Sequence, residues 1–188
     1  MKNVVLSAFI ILGIISTGLK AQTVEDIEGN SYSTITFRAL VWMEEPLKTT
    51  KFNDGTAIPL VEDGITWVKT NQPAYCWLYN DETKNRKIGV IYNWYAVETG
   101  KLCPTGWHVP TDAVYLDVAE WPGGIRSGGF DESGGFYYTY NSALYWTSTE
   151  ETSATAYYTE VLYDGTAVNR WWSHKNSGKL VRCVKNTD

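Results

Sequence analysis

The sequence predicts an α+β domain in which the sheet dominates, and three observations carry that reading. Short runs rich in β-branched and aromatic residues alternate with Asn, Asp and Gly turn residues along most of the chain. Helical spacing appears only in two brief stretches in the middle. A glycine-rich segment, Gly123 to Gly135, separates those stretches from a second group of aromatic strands.

Residues 1–21 read as a secretory signal peptide. Lys2 supplies the positive end, Val4 to Ile15 form an apolar run broken by Ser7 and Gly13, and Ala21 offers a small residue for cleavage. The run is shorter than the roughly 20 residues that a membrane-spanning helix needs. Residues 22–188 are then expected to form a single domain with no membrane span in the mature form.

From Ser33 to Trp42 the chain reads as one strand, with shorter runs at Ile58 to Val61 and Ile65 to Val68. Asn53-Asp54-Gly55 and Asp63-Gly64 put residues that tolerate positive φ where strands reverse. The first helix is expected in YNWYAVETG, where Tyr92, Tyr95, Ala96 and Thr99 share a face and Gly100 is the stop. A second starts after the N-cap Thr111 and must end by Trp121, because Pro122 follows.

The glycine-rich stretch predicts loops or closely approaching backbone rather than a packed element. Strands follow at Phe136 to Tyr140, Leu144 to Ser148 and Tyr157 to Tyr163. A hairpin through Asp164-Gly165 leads into Ala167 to Trp172, and Leu180 to Lys185 is the last strand.

Charge and cysteine usage narrow the function. The whole chain carries −5, and loss of Lys2 and Lys20 with the signal takes it to −7. With no Lys/Arg cluster it lacks the electrostatic footprint of a nucleic-acid or anionic-lipid binder. Three cysteines, Cys76, Cys103 and Cys183, allow one bridge and one remaining thiol in an exported protein. No CxxC occurs and the two histidines, His108 and His174, stand far apart, so neither a metal nor a cofactor is expected.

The chain has no G-x-S-x-G, H-E-x-x-H, phosphate loop or G-x-G-x-x-G. His108, in GWHVP, reads as a packed, hydrogen-bonded residue and His174 as a loop residue. Glu150 and Glu151 are adjacent, which on a strand sends them to opposite faces. A non-catalytic binding role is therefore expected.

Aromatic residues are the distinctive feature: nine Trp, thirteen Tyr and five Phe, many in adjacent pairs. A strand buries one face, so one ring of each pair should leave the core. Exposed Trp and Tyr rings suit protein interfaces and stack on sugars, which makes Trp171, Trp172 and Tyr158 the candidate ligand-binding residues, while Trp146 is expected in the core.

Several long phrases resemble one family. LKTTKFNDGTAIPLV, PAYCWLYND, YNWYAVETGKLCPTGWHVPTD, YWTSTE with the following AYY, and SGKLVRCVKN are similar to the Fibrobacter succinogenes major paralogous domain, a family of secreted proteins. That family in turn looks like the C-type-lectin-like and sulfatase-modifying-factor superfold. The resemblance implies a twisted, mostly antiparallel sheet with two short helices and long loops, and a Cys103 to Cys183 bridge. Such a bridge would remove roughly 4 kcal/mol of unfolded-state entropy. Cys76 with Cys103 is the alternative pairing, and otherwise Cys76 is a buried free thiol.

Departures from the family are also informative. Val114 and Tyr115 replace a family Glu-Trp pair at the second helix, and Pro46 stands in WMEEPL, where it removes a backbone donor. The closely spaced copper-binding cysteine pair of the sulfatase-modifying enzymes is missing, as are the calcium-lectin phrases E-P-N, Q-P-D and W-N-D. Asp131 and Glu132 offer oxygens to calcium without such a phrase. The expected ligand is an extracellular glycan or protein surface, with a cell-surface structural or adhesion role as the alternative and a sulfatase-modifying-type enzyme as the third.

Overall fold

A computed structural model describes residues 22–118 and 127–187. The signal reading of residues 1–21, the limit of the second helix at Trp121 and the first part of the glycine-rich run, Gly123 to Arg126, lie outside those residues. The described residues form three antiparallel sheets and four short helices, an α+β arrangement in which strand dominates.

The first sheet holds β1 (Thr23–Glu25), β2 (Ser31–Phe37), β3 (Leu40–Met43) and β12 (Val184–Asn186), in the order β1-β2-β3-β12. The second runs β4-β5-β11-β6-β7, from β4 (Tyr75–Cys76), β5 (Ile91–Asn93), β11 (Gly178–Lys179), β6 (Gly128–Phe130) and β7 (Phe136–Tyr138). The third is β10-β9-β8, from β10 (Val168–His174), β9 (Thr155–Leu162) and β8 (Ser142–Glu150). The helices are α1 (Gly64–Lys69), α2 (Glu82–Asn85), α3 (Trp94–Glu98) and α4 (Asp112–Leu116).

Local chemistry explains where these elements depart from the pattern reading. Ser33 to Trp42 is a hairpin rather than one strand, because Arg38 and Ala39 adopt φ of 50° and 58° and turn β2 back onto β3. Ile65 to Val68 is helical. The Asp63 carboxylate accepts from Thr66 N at 2.8 Å, so Asp63-Gly64 caps α1 instead of reversing a strand. Ile58 to Val61 forms no named strand and joins the second sheet through the isolated Leu60 to Tyr75 bridge.

Both expected helices are present but short. Asn93 caps α3 and Thr111 caps α4, while Gly100 at φ 67° follows the end of α3 as a left-handed stop. The glycine run contributes β6, where a side chain on Gly129 would collide with the Tyr137 ring and with Gly178 O, so backbone approach governs that strand.

Residues 178–186 form not one strand but a path through all three sheets. Gly178 and Lys179 pair with β5, and Gly178 also pairs with β6. Leu180 then binds β8: its N–H donates to Leu144 O at 3.1 Å and its carbonyl accepts from Trp146 N at 2.9 Å. Val181 O accepts from Leu47 N, Cys183 O accepts from Met43 N, and Val184 to Asn186 pair with β3. Cys183 is disulfide-bonded to Cys103, beyond α3, while Cys76 is buried and free. Burial pushes the Cys76 thiol pKa far up, which makes it inert.

Lys179 is the unusual buried residue on this path, at 2% exposure. Its ammonium lies 4.5 Å from the Trp146 ring centroid and 4.4 Å from that of Tyr158, and no described residue gives it a hydrogen bond or ion pair. Desolvation pushes its pKa down to about 7, with Glu132 acting weakly the other way.

Two stability outcomes follow. Replacing both Cys103 and Cys183 by Ser removes a link between residues 80 apart in sequence and should cost about 4 kcal/mol in urea unfolding. Because the folded-state pKa of Lys179 lies below that of the unfolded chain, its burial penalty is complete below about pH 7 and is relieved as pH rises towards the ordinary lysine value. Lys179→Met should therefore stabilise by about 1–4 kcal/mol near neutral pH, and by less in alkaline buffer. Parallel urea titrations check this, and an equal gain at both pH values would assign the effect to packing.

Candidate binding face on strand β10

The site is built on the hairpin of β9 and β10. Asp164 and Gly165 close it, with Gly165 at φ 73° and Leu162 N donating to Ala167 O at 3.0 Å. That turn sets the register: Val168 faces Val161, Trp171 faces Tyr158 and Trp172 faces Tyr157. On the other side of β9, Trp146 of β8 faces Tyr158 and Tyr145 faces Thr159.

Strand alternation assigns these residues to two faces. One carries Trp146, Tyr158, Glu160, Asn169 and Trp171, and the other carries Tyr145, Tyr157, Thr159, Arg170 and Trp172. Both faces of β8 are covered, since Trp146 packs in one hydrophobic cluster and Ala143 and Tyr145 in another. Cover thins towards β10, the edge strand, so Trp171 and Trp172 are both exposed, at 52% and 58%.

The structure thus brings two of the three candidate rings together and separates the third. Tyr158 is half-buried, with its ring meeting Trp146 edge-on at 6.2 Å and resting against the Lys179 ammonium. Burial first, then the Glu160 and Glu132 charges, push its hydroxyl pKa up, so it stays a neutral phenol. Tyr158 is thus the partly covered ring, and Trp171, opposite it on β10, is the exposed ring on the same face.

Trp171 is held from the side. Its indole N–H donates to Glu160 Oε2 at 3.2 Å, and Asn169 Nδ2 reaches the same oxygen at 3.4 Å. Glu160 Oε1 makes no hydrogen bond among the described residues. A flat ring beside a carboxylate and an amide offers a stacking surface together with a hydrogen-bond acceptor and donor.

Trp172 belongs to the opposite face, where Arg170 lies 3.5 Å from the Tyr157 ring centroid and pairs with Asp112 at 2.7 Å. Asp112 also accepts from Thr149 Oγ1 at 2.7 Å, so this face ties α4 to β8 and β10. Glu160 and Asn169 were not picked out by sequence reading. Their signal was the period of two: Asn169 stands two before Trp171, and Glu160 two after Tyr158.

Other expected residues fall in structural roles. His108 is exposed, not packed; only its backbone is engaged, in a bridge to Val184. His174 ends β10 instead of lying in a loop. Glu150 pairs with buried Lys175 at 2.6 Å, whereas Glu151 accepts from Thr155. Asp131 spends one oxygen on Ser133 and Gly135 in the turn between β6 and β7, and no group of three or more acidic, His or Cys residues suited to a metal occurs among the described residues. No described helix is long and apolar enough to cross a membrane.

No curated protein and no solved structure matches the sequence. Residues 35–121, from within β2 to beyond α4, match the family model of the Fibrobacter succinogenes major domain, and this match supports placing that part of the chain in the family.

Proposed function

We propose that the protein is an exported, non-catalytic binding module that recognises an extracellular glycan or protein surface through the Trp171 face of β10, on a sheet arrangement of the C-type-lectin-like kind. One observation carries the reading: an exposed tryptophan ring is fixed by its indole N–H to Glu160, with Asn169 beside it and Tyr158 opposite it on the neighbouring strand. Rings held in place lose little entropy on contact, which suits recognition of a flat ligand surface. Ionisable groups elsewhere support binding over catalysis, because Asp112, Glu150 and Glu151 are engaged in contacts that join elements. Export rests on the apolar N-terminal run and the disulfide.

A structural or adhesive role at the cell surface is the second reading, and Trp172 favours it. An edge strand with an exposed ring on each face is a template for pairing with another chain.

A glycan array run with and without calcium separates the two. Saccharide binding that falls about tenfold or more in Trp171→Ala, at unchanged melting temperature, supports the glycan-binding form of the first reading. Trp172→Ala should keep that binding. A blank array, with concentration-dependent association in sedimentation that Trp172→Ala disperses, would replace it with the second.

A further inference from the structure

A second concave feature lies away from β10, between the start of β2, the segment after β3 and helix α2. It is a cavity of about 380 Å³ lined by Asn30, Ser31, Lys48, Thr83, Arg86 and Lys87. That volume is in the range of small-molecule sites. Three of the six lining residues are cationic and none is acidic, in a chain of net charge −5. The sequence alone does not display the grouping, because Lys48 comes from far upstream of Arg86 and Lys87.

Arg86 and the backbone at Lys48 are held by a built network. Buried Asp26 accepts from Asn30 Nδ2 at 2.9 Å and from the Tyr32 hydroxyl at 2.6 Å. Asn30 in turn accepts from Arg86 NH2 at 2.9 Å, and the Tyr32 hydroxyl accepts from Lys48 N at 2.8 Å. The Lys48 ammonium lies 5.3 Å from the Tyr32 ring centroid, and the Arg86 guanidinium 5.8 Å from that of buried Trp77. Aromatic faces thus support two of the three charges.

Glu82 pairs with Arg86, and Asp26 lies behind Asn30 and Tyr32. Lys48 and Lys87 form no ion pair with a described residue. Ser31 and Thr83 add hydroxyls to the wall. Two ammonium groups with open donors, a fixed guanidinium and two hydroxyls match an oxyanion attached to a polyhydroxylated ring.

We propose that this cleft is a second binding site, taking the carboxylate or sulfate group of an acidic saccharide. It shares with the reading of β10 only the glycan class of ligand, and its residues are separate from Trp171. The free cations supply attraction that salt screens, and the hydroxyls and Asn30 supply orientation.

Isothermal titration of the purified protein with a short oligogalacturonate, a sulfated oligosaccharide of similar length and a neutral cello-oligosaccharide tests the idea. Saturable binding of either anionic probe, weakened by added salt and about tenfold or more weaker in Lys48→Gln/Arg86→Gln, is the expected result. Which probe binds distinguishes carboxylate from sulfate. Lys87→Gln, at an exposed position, provides a variant that leaves the Asp26 network intact and should also weaken binding. Lys69→Gln makes the same charge change on α1 and should leave binding unaltered. Absence of binding by both anionic probes at low salt overturns the proposal, as does binding that Lys69→Gln weakens as much as Lys87→Gln. Failure here leaves the Trp171 test standing, since the array and the titration read different residues.

Discussion

Everything in this structure depends on residues 178–186. Three sheets that share few other backbone bonds are joined by one buried stretch of chain, which gives Lys179 to the second, Leu180 to the third and Val184 to the first. Its residues from Gly178 to Val184 are all buried, so the polar backbone between β11 and β12 must find partners inside the protein. It finds them on Leu144, Trp146, Leu47 and Met43, and the Cys183 bond to Cys103 ties the same stretch to the segment beyond α3. Packing of the two hydrophobic clusters and placement of β8 both follow from that anchoring.

The exposed rings of β10 follow in turn. Leu180 fixes β8 between two cores, β9 pairs with β8, and β10 is the strand that the cores no longer cover. Residues of one composition therefore take opposite fates by distance from this anchor: Trp146 is fully buried, Tyr158 is intermediate, and Trp171 is exposed, all in one row across the sheet. The row is graded in burial, and its outer end has a polar flank in Glu160 and Asn169.

Much of the sheet was legible in the sequence because period-two alternation and Asp-Gly turns act locally. The β9 to β10 hairpin, the cap Thr111 and the stop at Gly100 show this. Helix α1 was not legible, since Ile65 to Val68 is β-branched and aromatic, and the capping of Thr66 by Asp63 outweighs that propensity. The turn at Arg38-Ala39 was hidden because neither residue is a usual left-handed former. At the site, Trp146 is buried and Trp171 and Trp172 are exposed, as expected. The rule that one ring of each adjacent pair leaves the core nevertheless fails at both ends of the sheet: β8 buries Tyr145 as well as Trp146, and β10 exposes both of its tryptophans. That rule assumes a core on one side, whereas β10 stands at the edge, with cover fading on both. The cleft is completed only by tertiary folding, which brings Lys48 from far upstream to the adjacent Arg86 and Lys87.

A stretch of chain that completes three sheets also sets an order of events. Its partners β3 and β5 precede it by long sequence intervals, so neither sheet acquires its last strand until the chain has been made through Asn186. Pairings of that span are slow to form, because loop closure must be paid before contact energy is returned. Until then β3 and β5 each keep an open edge. Closure of these two sheets is therefore a late step compared with formation of the β9 to β10 hairpin, whose strands are neighbours in sequence.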